Sequence, residues 1–531
     1  MSEHSRFLPW VLSGFGIIVF LPFSWLLSAI CLGLFILGWH DYRQDKHAIL
    51  RNYPVSGHLR FLFEYIRPEI RQYFLESDEE KLPFSRNQRA MVYSRSKKVN
   101  DKRGFGTIKA VYESNSEWIG HSSVPHHADP KTFRVRIGGP QCTQVYEASI
   151  FNISAMSFGS LSPNAIRALN RGAKMGGFAH DTGEGSISAY HREHGGDLIW
   201  EIGSGYFGCR TPTGRFDADK FAEQAQSPQV KMIEIKLSQG AKPGHGGVLP
   251  AAKVTAEIAA ARGVTLGEDC VSPAAHSEFS TPLELMGFIQ HLRDRSGGKP
   301  IGFKLCIGQP WEWFAMAKAM LESDIYPDFI VVDGSEGGTG AAPVEFSDHV
   351  GMPMREGLRL VHNTLVGIGK RDRVRIGVAG KIISAFDITR AMALGADWCN
   401  SARGFMFALG CIQSRSCHTD HCPTGVATQD PNRQRALVVT DKAERVKNFH
   451  AMTVEALAEL VGAAGLERPG DITANHLMVR NASGVAVPLS SVLPSVPEDA
   501  LLDEAQLATL PEPFCSQWKS AVAASFERRA H

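Results

Sequence analysis

The chain has 531 residues, of which 44% are apolar and 21% charged, a globular balance that excludes wholesale disorder, a collagen-like fibre and a coiled coil. Lysine and arginine total 56 against 55 aspartates and glutamates, a formal net charge of +1, so nothing global points to nucleic acid or to a strongly acidic partner. The length suits about three ordinary domains, or one large barrel with appendages.

From Phe7 to Trp39 the sequence carries no formal charge over thirty-three residues. Roughly 20 apolar residues span a bilayer as one helix, so the run is long for one span and tight for two, and Pro22 and Ser24 interrupt it. We read two short membrane segments, about 7 to 21 and 23 to 39, turning at Leu21 and Pro22; a single tilted span is the alternative. A cleaved signal peptide has a shorter apolar region, ~7 to 15 residues, and soluble helices seldom lack charge over such a length. Arg43, Lys46, Arg51, Arg60, Arg67 and Arg71 follow the run, while Arg6 precedes it. This bias predicts a membrane protein whose catalytic bulk faces the cytoplasm. Residues 1–40 are thus a transmembrane hairpin or anchor. Residues 41–140 mix aromatic and basic residues without a clear period and are expected as a lead-in segment packed on the main domain, its basic face solvated or against lipid headgroups.

Between 145 and 405, short apolar runs ending in glycine, serine or polar residues alternate with helix-like stretches, the pattern of β/α units. Eight runs are counted: 149–157, 177–183, 198–204, 232–240, 300–306, 329–335, 374–380 and 398–404. Eight parallel strands close a barrel. Ser162 and Pro163 open one intervening helix with a cap and a first-turn proline, and Gly263 ends another. A doubly wound open sheet would place a G-x-G-x-x-G fingerprint after its first strand, and none stands there. The expected fold is therefore α/β, a (β/α)8 barrel over 141–440. Barrel chemistry sits at the C-terminal strand ends, with the usual phosphate site after strands seven and eight; Gly380 and Gly404 fall there. Residues 441–531 form a C-terminal extension: a helix-like stretch from Ala443 to Gly465, then a Pro-rich tail expected to be weakly ordered.

Seven of the ten cysteines are scattered and read as reduced thiols, but Cys411, Cys417 and Cys422 crowd into twelve residues, with Pro423 next. Clustered thiolates are soft, charged ligands suited to an inorganic core. Zinc is the rival; it prefers four ligands in pairs and would have to recruit His418 or His421. Three cysteines on the loop 410–425 make a three-iron cluster the simplest count.

Several segments resemble the FMN-binding domain of glutamate synthase: SAMSFGSLS (154–162), GEGS (183–186), IGSGYFG (202–208), IEIKLSQGAKPGHGGVLPAAKVT (233–255), DGSEGGTGAAP (333–343), ALGADW (393–398) and GCIQSRSCHTDHCPTGVATQDP (410–431). The resemblance implies an FMN-containing barrel with a [3Fe-4S] cluster on Cys411, Cys417 and Cys422. Electrons would pass from cluster to flavin and then as hydride to 2-iminoglutarate, formed from 2-oxoglutarate and ammonia. Carried over by position, Gln239, Lys242 and Arg262 would hold the oxo acid. Glu184, Lys236 and Lys242 are the catalytic candidates, with Asp181 the second choice after Glu184 for proton handling. Met156, Ser157, Lys304, Gly337, Gly338, Gly380, Arg403 and Gly404 would face the cofactor.

Two departures qualify the substrate. The family motif reads GAKPGEGGQLPG, so His245 stands for an acid and Val248 for a glutamine of the oxo-acid site; SPPPHHD is here SPAAHSE (272–278). The alternative is an FMN and iron-sulfur flavoprotein acting on another oxo acid, imine or amine. Nitrogen is expected from free ammonia or a separate glutaminase; with neither a nicotinamide fingerprint nor a second cysteine cluster in the sequence, the expected electron donor is ferredoxin, a partner subunit or a quinone-linked route near the bilayer.

Overall fold

The computed structural model describes residues 5–78, 80, 83–99 and 102–528. They form two compact units that part after Asn87, inside the stretch 41–140 read above as one lead-in segment.

In the first unit, helices α1 (Leu8–Phe20) and α2 (Trp25–Arg43) pack against each other. Ser24 caps α2 by accepting the Leu27 N–H at 3.4 Å. Small residues set the spacing: a Cβ on Gly16 would lie 2.7 Å from Cys31 Sγ, and one on Gly38 2.3 Å from the Trp10 ring. Ser28 Oγ donates to the Ile17 carbonyl at 2.8 Å, and Trp10 Nε1 to that of Phe35 at 3.0 Å. The outer faces are apolar, with Phe15, Ile18, Phe23 and Trp25 largely exposed. Helix α2 is long and apolar enough to cross a membrane; α1, at about 20 Å for 1.5 Å per residue, is shorter. Residues beyond 41 join this unit because Asp41, fully buried, accepts the Val55 N–H at 3.0 Å and faces His58 Nε2 at 2.9 Å. A further helix, α3, spans Gly57–Ile70.

The second unit is built on a closed parallel barrel of β1 (Phe151–Ile153), β2 (His180–Asp181), β3 (Leu198–Ile202), β4 (Val230–Lys236), β5 (Ile301–Leu305), β6 (Phe329–Asp333), β7 (Arg375–Ala379) and β8 (Trp398–Ser401). All eight expected strands are present, each shorter than its apolar run because the polar ends of the runs are loop. The main helices around it are α4 (Pro163–Gly176), α5 (Ala218–Ala225), α6 (Pro282–Arg295), α7 (Pro310–Ser323), α8 (Met354–Gly367), α9 (Ala385–Ala393) and α10 (Arg403–Leu409). Their ends follow local chemistry. Ser162 accepts the Ala165 N–H at 3.2 Å to start α4, and Gly177, with φ of +67°, stops it.

Side chains alternate along a strand, and here the alternation sorts the lumen into layers. At the N-terminal end, Ala179, Ile199, Met232, Phe329, Val331 and Trp398 form one apolar cluster with Ile137, Tyr146 and Ala148 of an antiparallel strand pair, Arg134–Ile137 and Tyr146–Ser149. Gly302 and Gly377 leave room for the Phe329 and Trp398 rings, which a Cβ would meet at 2.6 and 2.4 Å. Two residues further along the strands the lumen turns polar: Asp181, Glu201, Glu234, Lys304 and Asp333.

Helix α11 (Val439–Ala463) lies on α4, where a Cβ on Gly172 would come within 2.5 Å of Val446 Cγ1. The Pro-rich tail corrects an expectation of weak order. Leu477–Arg480 and Ala486–Pro488 pair into a sheet with Glu117–Ile119, and Phe514 and Trp518 each place a ring 5.6 Å from that of Phe314 on α7. Isolated aromatic anchors order this segment, and they leave no periodic trace.

One buried hub holds strands β5 and β6 beside α6. Asp328 accepts the N–H groups of Gly139 (2.8 Å) and Ile301 (2.9 Å) and pairs with Arg293 Nη2 at 3.1 Å, both side chains 1% exposed. Asp328→Ala strands a buried guanidinium and is expected to cost about 3–5 kcal/mol, measurable as a lower urea midpoint.

Candidate active site

The C-terminal mouth of the barrel is dominated by one carboxylate among three cations. Glu184, on the loop after β2, pairs with Lys236 Nζ at 3.2 Å. Burial opposes its charge, but Lys236, Arg262 and Lys242 outweigh burial and hold its carboxyl below the usual range. The loop can turn this tightly because Gly183 adopts φ of +64° where a Cβ would be 2.6 Å from the Ser157 N. Lys236 ends β4; its carbonyl contacts His276 Nε2 at 2.9 Å, and the His276 Nδ1 contacts the Tyr206 hydroxyl at 3.0 Å. Burial lowers His276 to about 4, so this imidazole is neutral at pH 7. Arg262, at the end of helix Ala256–Arg262, donates to the Phe158 carbonyl at 2.9 Å and lies 5.2 Å from the Phe207 ring centre; its Nε has no hydrogen-bond partner among the described residues. Burial and the neighbouring Lys236 lower the ammonium pKa of Lys242.

Two loops stack beside this group. The Gly240 N–H donates to Asp333 Oδ2 at 3.0 Å, and a Cβ on Gly240 would overlap the Gly334 carbonyl at 1.7 Å. Lys242 Nζ donates to the Ala341 carbonyl at 2.9 Å, and Gln239 Nε2 to Thr339 Oγ1 at 3.4 Å. Thus the loop after β4 is clamped to the glycine-rich loop after β6. Arg403, at the start of α10, closes the other side: Nη2 donates to the Thr339 carbonyl at 2.6 Å, and Nη1 stands 3.9 Å from Cys417 Sγ.

The cysteine loop therefore opens on the same end as the glycines. Cys411 and Cys422 are buried, Cys417 partly so, and none of the ten cysteines is in a disulfide. Burial lifts Cys411 to about 11, against the Gln413 N–H and Arg403, with Cys417 and Cys422 adding to the rise. Burial also lifts Cys422, but Thr424 and the N–H groups of Ala427, Thr424 and Val426 more than offset it. Such donors suit a thiolate bound to a metal centre. Lys253, 2% exposed, donates to the carbonyls of Ala427 (3.1 Å) and Ser160 (3.3 Å), and Tyr93 donates to the Cys411 carbonyl at 2.6 Å.

The structure thus brings Glu184, Lys236, Lys242 and Arg262 together, with Gln239 alongside. It sets Gly337, Gly338 and Arg403 beside the cysteine loop: a Cβ on Gly338 would be 2.7 Å from Arg403 Nε. Met156 and Ser157 follow β1, Ser157 Oγ donating to Ser160 Oγ at 3.0 Å. Gly380 follows β7, packed on Met354, and Gly404 packs on Ser401 and Phe449. Lys304 is placed differently from the rest. It is 4% exposed inside the lumen, with Nζ 3.1 Å from Glu201 Oε2, so its charge is committed to carboxyls below the mouth. Glu201, Glu234 and Lys253 were not singled out from sequence, although an acid inside an apolar strand (LIWEI, MIEIK) was a visible signal.

A family described as "Conserved region in glutamate synthase" matches residues 129–467. Glutamate synthase large subunit-like protein YerD of Bacillus subtilis (strain 168) is 36% identical over 514 residues, 88% of this chain and 97% of that protein. An archaeal glutamate synthase (NADPH) of Methanocaldococcus jannaschii is 34% identical over 329 residues, 62% of this chain and 61% of that protein's length. Among solved structures, a mutant flavocytochrome b2 with pyruvate bound aligns with 84% of this chain and 90% of its own, at a TM-score of 0.40 and 13% identity.

Proposed function

The chain belongs to the glutamate synthase family, and from that premise we propose that it is a membrane-anchored FMN and iron-sulfur oxidoreductase reducing a 2-imino acid, with 2-iminoglutarate from 2-oxoglutarate and ammonia as the first candidate. The observation that carries this reading is the charge at the mouth. Lys236, Lys242 and Arg262 surround the single carboxylate of Glu184, so two positive charges are unmatched, the complement of a dicarboxylate substrate.

FMN would lie against Met156, Ser157, Gly337, Gly338, Gly380, Arg403 and Gly404, and a three-iron cluster on Cys411, Cys417 and Cys422; together they would supply hydride from electrons received singly. The chain's own residues do the rest. Lys242 and Arg262 bind and orient the oxo-acid carboxylates. Lys236 presents a cation where negative charge develops. Lys236, Arg262 and Lys242 lower the pKa of Glu184 against the effect of burial, which favours its charged form, and Glu184 in turn orients these cations. Asp181, pushed up to about 8 by burial and by Glu201, carries a proton at pH 7 and takes over the proton role first assigned to Glu184.

The exposed apolar faces of α1 and α2 support residence in a bilayer, with the barrel on the cytoplasmic side. Ferredoxin or a partner subunit would deliver electrons, and free ammonia or a separate glutaminase the nitrogen. A second reading, another 2-oxo acid, is favoured by one feature: Val248 sits in a short strand paired with Val271 and offers a substrate no hydrogen bond. Anaerobically purified protein given a reduced donor, 2-oxoglutarate and ammonia should form glutamate. Absence of glutamate alongside turnover of another oxo acid would transfer the assignment to that substrate.

A further inference from the structure

Below the mouth, Asp181 meets two further acids, Glu201 and Glu234, that the reaction described above does not use. One oxygen from each of Asp181, Glu201 and Glu234 lies within 4.8 Å of the others. All three side chains are 2% exposed or less. Neither oxygen of Glu234 has a hydrogen-bond partner among the described residues. Two ionised carboxylates are acceptors only and cannot satisfy each other; a proton on either supplies the missing donor.

Every neighbouring element bears on this charge count. Lumen-facing positions are Asp181 on β2, Glu201 on β3, Glu234 and Lys236 on β4, Lys304 on β5 and Asp333 on β6. At the same level, β1, β7 and β8 present Asn152, Ala379 and Asn400, in register with one another and without charge. Lys236 is engaged with Glu184, and Asp333 with the Gly240 N–H. Lys304 is the ammonium paired with the trio, 3.1 Å from Glu201, while Lys236 acts on Asp181 from the mouth and Asp333 draws on the Lys304 charge as well. One ammonium against three buried carboxyls leaves two negative charges to be neutralised, which burial in a low dielectric demands. Protons fit better than a metal ion, because a cation at the centre would be set against the Lys304 ammonium.

We propose that Asp181, Glu201 and Glu234, closed by Lys304, form a proton store for the barrel mouth, holding two protons at neutral pH and giving one up each time an imine is reduced above it. The directions of the shifts agree: burial and the neighbouring acids raise Asp181 to about 8 and Glu234 well above the usual carboxyl range. Two strands connect the store to the mouth. Strand β4 carries Glu234 and, two residues on along the same face, Lys236. From β2, Asp181 Oδ1 accepts the Gly183 N–H at 3.0 Å, and Glu184 follows to meet Lys236.

This proton transfer rests on the imine-reducing function proposed above. Bound reduced flavin would supply the hydride to the imine carbon; as the C=N π pair moves to nitrogen, the residues supply one proton to that nitrogen, relayed from the store. The store becomes more negative by one charge beside Lys304 and recovers its proton from solvent between turnovers. These acids act through the mouth residues, so their role is to store and position the proton.

The test is infrared spectroscopy of the full-length protein without substrate, in H2O and D2O, across pH 6 to 9. Protonated carboxyl carbonyl bands, shifted by D2O, are expected at pH 7, one titrating near pH 8. Asp181→Asn should remove that band and Glu234→Gln another; Glu234→Asp substitutes if the amide variant does not fold, and the wild-type spectrum needs no variant. In turnover, Asp181→Asn should lose the alkaline limb of the rate profile and slow about 10²-fold at pH 7, with little change in KM. Absence of protonated carboxyl bands at pH 7 overturns the store, as does a stoichiometric divalent metal that Glu234→Gln removes. Bands present in a protein that reduces no imine uphold the store and overturn the imine reading.

Discussion

Cys417→Ser protein, purified anaerobically, is expected to contain FMN but no iron-sulfur cluster, and to have lost turnover driven by a protein electron donor. The cluster would have three cysteine ligands on one loop and no fourth cysteine in reserve, and a serine oxygen is a hard ligand where the core takes soft thiolates. The flavin contacts proposed at Met156, Ser157, Gly337 and Gly380 do not depend on this sulfur. Arg403 is shared, donating to the Thr339 carbonyl while its Nη1 stands 3.9 Å from Cys417 Sγ, so a modest loosening of FMN is allowed and its loss is not. The checks are iron, acid-labile sulfide and flavin assays on one sample. A variant that keeps full iron content would show that the triplet is not the ligand set. Lys253→Met probes the same site from outside the ligands. Its ammonium is held by the Ala427 and Ser160 carbonyls, and its loss should weaken cluster retention by roughly 10- to 100-fold.

The second large effect belongs to Lys242. In Lys242→Met the mouth keeps Lys236 and Arg262 but loses one of the two unmatched positive charges. Removing one partner of a buried charge pair costs about 2–5 kcal/mol, so kcat/KM for a dicarboxylic 2-oxo acid should fall by about 30- to 4000-fold, mostly through KM if the contact is the same in ground and transition states. The wild type should prefer dicarboxylic over monocarboxylic 2-oxo acids of similar size, and the variant should lose that preference. Equal losses for both kinds of substrate would place Lys242 in the chemical step or in holding the Ala341 loop.

The barrel was legible in the sequence because each strand is a dense apolar run with a polar end, and the runs recur with helix-forming segments between them. The mouth was legible for another reason. Its glycines are placed where a Cβ would strike backbone, as at Gly240 against Gly334, so the loop words SQGAKPG and DGSEGG carry the geometry almost letter by letter. Neither route reaches the carboxyl layer. Glu201 and Glu234 interrupt apolar strands in the alternation of a half-exposed strand, and only ring closure turns that face inward. The partner of Lys304 was hidden for the same reason: its position at the end of a strand pointed to the mouth, and the structure adds its pairing with Glu201. Long-range order in the tail is equally silent, since Phe514 and Trp518 act as single anchors. The division after Asn87 depends on buried Asp41 gathering Val55 and His58, a pairing that local sequence does not announce.

The proton assignments follow from the same layering. Asp181 ends strand β2 and Glu184 lies three residues on, in the loop that follows, yet three cations stabilise the charge of Glu184, while burial and a neighbouring acid suppress that of Asp181. Raising the pH through about 8 should therefore charge Asp181 within the lumen. Because its folded pKa lies above the unfolded carboxyl value, this group's contribution to stability is full below about pH 4 and is lost as pH rises through about 8.

The central claim is that one barrel mouth holds both a flavin site and a three-cysteine metal site. It is tested most directly by measuring FMN, iron and acid-labile sulfide per chain in wild-type protein prepared without oxygen. The account predicts one FMN with about three irons for each chain, both retained through gel filtration. Flavin without iron, or iron without flavin, would contradict it.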